Sequence, residues 1–310
     1  MKRLLLAAAL ALAAPNAHAA DKLSLILDWF VNPDHAPIIV AAQKGYFAEA
    51  GLEVEIVPPA DPSDPPKLVA AGRADLAVSY QPTHQIQVGQ GLPLVRIATL
   101  ISTPLNSIVV LKDGPIKSIK DLKGKKVGFS VAGTEEAILG TVLAKHGLSL
   151  KDVEMINVNF ALGQALAAGR VDAVTGAYRN FELNQLAIEG RPGRAFYVEE
   201  EGVPVYDELI VVANKAKLAD PKLRRFVAAL ERGVMFLINN PDESWTLFIQ
   251  RHKDLNDELN KRAWRDTLPR FDKRPAAMDN GRYERFAAFL KEKGLVKELP
   301  PVAEYAVELR

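Results

Sequence analysis

Apolar runs alternate with helix-like stretches along most of the chain. Leu23 to Leu27 is a nearly continuous apolar run, as expected of a parallel strand that is covered on both faces. Pro37 suits the first turn of a helix, and apolar residues then recur at helical spacing until Gly51. Leu52 to Val57 alternates like a second strand. This β-α-β order predicts an α/β fold.

One such segment occurs twice. The sequence KLVAAGRADLAVSY from Lys67 to Tyr80 is echoed by QALAAGRVDAV from Gln164 to Val174. In both copies a helix ends at glycine, a basic residue and an aspartate fill the turn, and an apolar strand resumes. The two copies are too far apart for a solenoid repeat. We therefore expect one α/β lobe written twice.

The second copy lies in its own series of strands and helices, which follows a turn signal at residues 112–115. Two apolar strands of the same type, Ser107 to Leu111 and Leu209 to Ala213, flank this series and indicate that the chain crosses between the lobes twice. From Asp220 onward the pattern is helical. We predict a ligand cleft between lobe 1, residues 20–110 and 208–310 with the C-terminal helices, and lobe 2, residues 111–207.

The first residues predict export. Lys2 and Arg3 precede an apolar run, and Ala17-His18-Ala19 resembles a cleavage site, so residues 1–19 are predicted to be a signal peptide. No later apolar run is long enough to span a bilayer. The chain has no cysteine, which excludes lipidation at a cysteine, disulfides and thiolate chemistry. We expect an unlipidated periplasmic protein.

Charge and motifs narrow the function classes. The 39 basic and 38 acidic side chains give a formal charge of +1, which provides no electrostatic footprint for nucleic acid. The five histidines lack zinc-site spacing, and no nucleophile motif, phosphate-binding loop or full dinucleotide-binding motif is present. We therefore predict no metal, no cofactor and no enzyme activity, and expect a monomer that binds a small molecule.

The stretch from Asp28 to Pro37 is the strongest candidate for a site. Trp29 ends the first strand beside Asp28, and an aromatic face with an adjacent carboxylate suits a flat ring that bears amino groups. Asn32 and His35 lie in the following turn, although His35 alternatively caps a helix or is exposed. Tyr80 follows a strand of the same lobe and is expected at the same crevice.

The second lobe supplies the predicted opposite wall. A glycine and a threonine start a helix there and offer backbone N–H groups, although ordinary helix capping explains them equally well. A tyrosine follows the repeated strand, and a nearby glutamate either accepts hydrogen bonds from a ligand or is a solvated helix residue. A carboxylate at the second crossing faces the cleft or binds the hinge backbone. These candidates are Gly133, Thr134, Tyr178, Glu182 and Asp207, with Glu208 as the alternative to Asp207.

Several motifs together resemble the NMT1/THI5-like family. They are Leu27-Asp28-Trp29 with Asn32 to Pro37, Gly45 to Leu52, Ala71 to Asp75 and Leu122 to Gly128. The family comprises periplasmic binding proteins of ABC importers, including thiamin-pyrimidine binders, and fungal pyrimidine synthases. The resemblance implies a type II periplasmic-binding-protein fold that closes on a thiamin-precursor pyrimidine of the formylaminopyrimidine or hydroxymethylpyrimidine type and delivers it to a membrane permease.

The same resemblance argues against synthase activity. The fungal members use a cofactor-bearing lysine, a nearby histidine and a cysteine-rich iron site. Here Ser79 stands at the lysine position, Thr83 is nearest to the histidine position, and Pro204-Val205-Tyr206-Asp207 replaces the cysteines. A binding protein for an alkanesulfonate or nitrate-like solute remains the alternative, and a synthase is the less favoured one.

Overall fold

The computed structural model describes residues 19–309. The predicted signal peptide, residues 1–19, lies outside this part of the chain except for its last residue. Two five-stranded sheets form the framework, with the strand orders β2-β1-β3-β10-β4 and β7-β6-β8-β5-β9. The two orders follow the same pattern, so the predicted duplication of one α/β lobe is present in the structure.

The first sheet and its helices come from the N-terminal third of the chain and one later strand. The α-helices and strands in chain order are β1 (Asp21–Ile26), α1 (Ala36–Gln43), α2 (Tyr46–Glu49), β2 (Leu52–Val57), α3 (Pro65–Ala70), β3 (Leu76–Ser79), α4 (Gln81–Gly89) and β4 (Leu94–Ile101).

The second sheet is built from the middle of the chain, which then returns to the first sheet and ends in helices. The elements are β5 (Asn106–Leu111), β6 (Lys126–Phe129), α5 (Thr134–Lys145), β7 (Glu154–Asn157), α6 (Leu162–Ala167), β8 (Ala173–Tyr178), α7 (Glu182–Ile188), β9 (Gly193–Tyr197), β10 (Leu209–Asn214), α8 (Pro221–Asn239), α9 (Pro241–Arg251), α10 (Glu258–Thr267) and α11 (Asn280–Glu292).

Each sheet contains one antiparallel strand that the chain reaches by crossing over. β5 pairs antiparallel with β8 and β9, and β10 pairs antiparallel with β3 and β4. The chain thus crosses at residues 102–105 and again at 198–208. β5 belongs to the second sheet, so the predicted boundary at residue 110 is several residues too late. The apolar run alone could not assign β5, because a crossing strand is buried in either lobe.

The repeated aspartates explain why the segment recurs. Asp75 Oδ2 accepts a hydrogen bond from the Ser24 backbone N–H at 2.9 Å, and Asp172 Oδ2 accepts one from the Lys126 N–H at 2.9 Å. In each lobe the aspartate therefore fixes the neighbouring strand, β1 or β6. Gly72 precedes the first of these turns with φ of +71°, a conformation that favours glycine.

Helix α11 departs from the predicted division into lobes. Its Tyr283 packs in a core cluster with residues of the first sheet, whereas Phe286 and Phe289 pack in the cluster of the second sheet. The prediction that the C-terminal helices belong to lobe 1 is therefore wrong for α11, which contacts both lobes. The spacing of the apolar residues along α11 does not indicate which lobe each of them packs against. Within residues 19–309, no helix has the length and apolar character needed to cross a membrane.

The C-terminal segment is held by a fully buried arginine. The Arg96 guanidinium on β4 donates hydrogen bonds to four backbone carbonyls, those of Pro275, Ala276, Ala277 and Val307, at 2.6 to 3.2 Å. It also donates to Thr99 Oγ1, which in turn donates to the Asp207 carboxylate. One side chain thus satisfies the backbone of a segment that has little regular structure of its own.

We expect Arg96→Met to lower the free energy of unfolding by at least about 3 kcal/mol, because each carbonyl left buried without a donor costs about 1–3 kcal/mol. Urea unfolding followed by circular dichroism measures the loss. Arg265→Met, at an exposed position on α10, is the matched control. A loss no larger than that of the control would contradict this role of Arg96.

Candidate functional site

A cavity lies between the two lobes, where strands β1, β3, β6 and β8 end; it contains about 650 Å³ of unfilled space, part of which is open to solvent. Binding sites of open α/β sheets occupy this position. Residues from both lobes and from the second crossing line it: Asp28, Trp29, Asn32, Asp34, Tyr80, Pro82, Asn106, Val131, Thr134, Glu135, Ile138, Leu162, Gly176, Tyr178, Phe181, Glu182, Tyr206 and Glu208.

The first wall is organised around Asp28. Its Oδ1 lies 2.8 Å from His35 Nε2, and its Oδ2 accepts a hydrogen bond from the Tyr80 hydroxyl at 2.9 Å. His35 Nδ1 accepts from the Asn32 backbone N–H at 3.3 Å, so Nε2 carries the proton and donates to Asp28. Both carboxylate oxygens of Asp28 are therefore held, and the carboxylate is presented in a fixed orientation.

The second wall contains Tyr178 and Glu182. Glu182 Oε2 accepts a hydrogen bond from the Tyr178 N–H at 2.6 Å, which fixes the carboxyl group at the start of α7. Burial raises the pKa of Glu182 to about 7. The Tyr178 hydroxyl is buried and has no hydrogen-bond partner among the described residues. Both side chains therefore offer polar atoms to the cavity between aromatic surfaces.

A third carboxyl group comes from α5. Glu135 is buried, and its Oε2 accepts a hydrogen bond from the Ser130 N–H at 2.7 Å. Burial raises its pKa to about 8, and repulsion by the charges of Glu136 and Glu182 adds to the shift. The sequence does not single out Glu135, because an acidic residue in the first turn of a helix is fully explained by the helix dipole.

The second crossing contributes Glu208, and not Asp207. Glu208 Oε2 accepts hydrogen bonds from the Leu105 and Asn106 N–H groups at 2.5 and 2.9 Å, and burial raises its pKa to about 7. Glu208 therefore fixes the backbone of the first crossing and also lines the cavity. The Asp207 carboxylate turns away from the cavity and binds Thr99 and Arg282. Adjacent residues of an extended segment point to opposite sides, which explains the difference.

Two further candidates from the sequence analysis lie outside the lining. His35 is completely buried behind Asp28, so it orients that carboxylate and does not face the cavity. Gly133 is exposed, and its N–H donates to the carboxylate of Glu136 at 2.5 Å. The helix start that was expected to contact a ligand is thus capped by its own helix. The other candidates line the cavity: Asp28, Trp29, Asn32, Tyr80, Thr134, Tyr178 and Glu182.

The charge of the lining has one sign. Five of its residues carry carboxyl groups, and none is a lysine, arginine or histidine. Burial also raises the pKa of Asp34, to about 6. A cavity of this kind favours ligands that bring hydrogen-bond donors or positive charge, because a carboxylate accepts hydrogen bonds and repels anions. In the described part of the chain, no group of three acidic or histidine side chains could hold a metal ion.

The two lobes are in direct contact around the cavity. Asn180 of lobe 2 donates to Asp34 Oδ1 and to Thr267 Oγ1, both at 2.7 Å. On the other side of the cavity, Thr83 of α4 donates to Thr134 of α5 at 2.9 Å. These bonds join the two lobes directly beside the cavity.

Aromatic rings of the two lobes pack against each other at Trp29, which lines the cavity. Trp29 of lobe 1 packs edge-on against Phe160 of lobe 2, with ring centroids 4.7 Å apart. Phe30 lies 6.1 Å from Phe160 and 6.3 Å from Phe181, measured between centroids. Phe160 is not recognisable as a site residue from the sequence, since it lies in a loop with no candidate binding residue beside it.

Comparison with known proteins agrees with this architecture. The family model described as NMT1/THI5 like matches residues 32–244, which include most of both walls of the cavity. The chain belongs to the NMT1/THI5-like family. The resemblance noted in the sequence is thereby confirmed.

Relatives within the family differ in their named roles. A Haemophilus influenzae protein named for thiamine biosynthesis is 54% identical over 94% of this chain and 93% of its own length. A formylaminopyrimidine-binding protein of Halalkalibacterium halodurans is 35% identical over 82% of this chain and 78% of its own. A Uromyces fabae 4-amino-5-hydroxymethyl-2-methylpyrimidine phosphate synthase is 29% identical over 78% and 74%.

Solved structures define the fold. The alkanesulfonate-binding protein SsuA of Xanthomonas axonopodis pv. citri superposes with a TM-score of 0.72 at 17% identity, over 94% of this chain and 99% of that one. The periplasmic aliphatic sulphonate binding protein SsuA of Escherichia coli gives 0.69 at 15% identity, over 92% and 96%. The predicted periplasmic-binding-protein fold is therefore confirmed, and these likenesses concern the fold alone.

The buried carboxyl groups predict a stability that falls as the pH rises. Glu135, Glu182 and Glu208 have pKa values raised above those of the unfolded chain, so their contribution is fully present below the unfolded pKa and is lost as the pH rises through about 7 to 8. We expect the free energy of unfolding to be lower at pH 8.5 than at pH 5.5 by about 2–5 kcal/mol.

Glu135→Gln should reduce this pH dependence by about 2 kcal/mol, since glutamine keeps an acceptor for Ser130 and does not ionise. Urea unfolding at both pH values measures the change. Glu154→Gln, which removes a carboxylate at an exposed position of β7, is the control and should leave the difference between the two pH values as in the wild type. If the free energy of unfolding changed by the same amount between the two pH values in the wild type and in Glu135→Gln, the assigned environment of Glu135 would be contradicted.

Proposed function

We propose that the protein is the solute-binding component of an ABC importer and captures a thiamin-precursor pyrimidine between its lobes. The observation that carries the proposal is the cavity lining, in which aromatic side chains alternate with carboxyl groups and no cationic side chain occurs. A 4-aminopyrimidine is flat and presents N–H donors at its edge. Such a ligand satisfies both features of the lining.

Trp29 and Tyr178 come from opposite lobes and form the aromatic surfaces for the ring. Glu182, held by the Tyr178 N–H, accepts hydrogen bonds from the amino edge of the pyrimidine. Its pKa of about 7 allows a proton to be shared with a ring nitrogen near neutral pH. Asp28, fixed by His35 and Tyr80, provides the second acceptor on the opposite wall.

Lobe closure links capture to delivery. The hydrogen bonds of Asn180 to Asp34 and Thr267 form only when the lobes meet, so a ligand that binds both walls favours the closed arrangement. A membrane permease that distinguishes closed from open lobes would then receive the loaded protein. The predicted signal peptide and the periplasmic-binding-protein fold support a periplasmic location, and we propose that the protein acts there as a monomer with its lobes divided at the two crossings.

The alternative cargo, an alkanesulfonate or nitrate-like anion, is disfavoured by the same lining. An anion would have to replace water beside carboxyl groups, with no lysine or arginine to neutralise it. The helix start at Gly133 does not provide a substitute, since Glu136 occupies its N–H group. Synthase activity is disfavoured because Ser79, at the lysine position of the fungal enzymes, is buried outside the cavity lining.

Calorimetry with formylaminopyrimidine and hydroxymethylpyrimidine tests the proposal, with nitrate and the sulfonate MOPS as the anionic competitors. We expect binding of a pyrimidine and none of the anions. Trp29→Ala should weaken pyrimidine binding by about ten- to a hundredfold, since stacking on an aromatic ring is worth about 1–3 kcal/mol per base. Trp29→Phe is the matched control and should retain most of the affinity.

Binding of an anion that Trp29→Ala leaves unchanged would replace the pyrimidine proposal with the anion alternative. Absence of binding by every pyrimidine would reject the proposed cargo, whatever the anions do.

A further inference from the structure

Glu135 is a carboxyl group of the cavity lining that the proposed contacts to the pyrimidine ring do not use. Its carboxyl group lies against the backbone of Gly176 in β8, where a Cβ atom would come within 2.1 Å of Glu135 Oε1. Gly176 has φ of +87°, a conformation that side chains other than glycine rarely adopt. The backbone conformation therefore favours glycine at this position, and a side chain here would displace the Glu135 carboxyl group from its present place.

The strand is irregular at the same point. β5 pairs Ser107 with Ala177 and Val109 with Val174, so Thr175 and Gly176 oppose the single residue between them. This is a β-bulge, a feature that re-aims side chains beside binding sites. The bulge and the missing side chain together form a notch in the cavity wall, defined by Gly176 and Asn106, in which the Glu135 carboxyl group sits.

The notch collects hydrogen-bond acceptors. Asn106 Oδ1 accepts a hydrogen bond from the Gly176 N–H at 3.1 Å, and the Asn106 N–H donates to Glu208, so Asn106 joins Glu208 to the strand that forms the notch. Glu135 and Glu208 both line the cavity. Glu135 is only 6% exposed and forms no ion pair with a described residue. A buried carboxyl group normally has a cationic partner or remains protonated.

A purely structural role does not account for the acid. The hydrogen bonds from the backbone N–H groups of Ser130 and Val131 require only an acceptor, which the amide oxygen of a glutamine would supply without a charge to bury. A carboxyl group, a β-bulge and a glycine without a side chain occur together at one point of the cavity. This combination is suited to binding a positively charged group of the ligand.

We propose that Glu135, seated in the notch at Gly176, binds an ammonium substituent of the ligand. The cavity then prefers an aminopyrimidine that carries a primary amine on its side chain over the N-formyl or hydroxymethyl counterparts. The inference rests on the proposed function, since it assumes that the aromatic walls hold the pyrimidine ring. The ammonium group replaces the proton of Glu135, which makes binding release a proton near neutral pH.

Calorimetry with the mature chain tests this with three probes that share one ring: 4-amino-5-aminomethyl-2-methylpyrimidine, its N-formyl derivative and the hydroxymethyl analogue. We expect the wild type to bind the amine at least about tenfold more tightly than the two neutral ligands. Glu135→Gln should lose about tenfold or more in affinity for the amine and less than about threefold for the neutral ligands. Glu154→Gln is the control and should bind all three like the wild type.

Proton release is measured on the wild type alone, so it tests the role of Glu135 even if a variant fails to fold. Titration of the amine in two buffers of different ionisation enthalpy should show release of close to one proton at pH 7, whereas the hydroxymethyl analogue should show little. Gly176→Ala, which displaces the Glu135 carboxyl group, should weaken amine binding more than binding of the neutral ligands.

The outcomes separate the two proposals. Tighter binding of the formyl or hydroxymethyl ligand by the wild type, or an equal effect of Glu135→Gln on all three ligands, would overturn the role of Glu135 and leave the pyrimidine-binding function standing. Failure of all three ligands to bind the wild type would overturn both.

Discussion

The burial of carboxyl groups between two lobes is the constraint on which the rest of the structure depends. Taking an acid out of water costs several kcal/mol unless its charge is neutralised or well hydrogen-bonded. In this protein nearly every cavity carboxyl group is held by the backbone or by a buried side chain: Glu135 by Ser130, Glu182 by Tyr178, Glu208 by the first crossing, and Asp28 by His35 and Tyr80. The negative charge of these carboxyl groups can then be neutralised only by a proton or by a ligand that brings hydrogen-bond donors or positive charge.

The duplicated lobe explains how this chemistry is assembled from distant segments. Both sheets end their parallel strands at the same cleft, so Trp29 and Tyr80 of one lobe face Tyr178 and the start of α5 of the other. The crossings add Glu208, which belongs to the hinge and the cavity at once. Asp34 belongs both to the carboxyl groups of the lining and to the contacts between the lobes, so the proposed ligand binding would involve the same contacts as lobe closure.

Much of this arrangement was predictable from sequence, and the exceptions have physical reasons. Trp29, Tyr80 and Tyr178 were found because they follow apolar strands, and the repeat identified the two lobes. His35 and Asp207 were misplaced because a polar residue beside a site can equally well support its neighbours from behind. Glu135 and Gly176 were missed because their contact joins two elements through a bulge, and neither the helical nor the strand pattern records it.

The central claim is that the cavity holds a flat, donor-bearing ring between its aromatic walls. A crystal structure of the protein with a bound 4-aminopyrimidine tests it most directly. We expect the ring to lie between Trp29 and Tyr178, with its amino edge on the Glu182 carboxyl group. A ring bound elsewhere, or a ligand held mainly by the backbone N–H groups at the start of α5 with the carboxyl groups turned away, would contradict it.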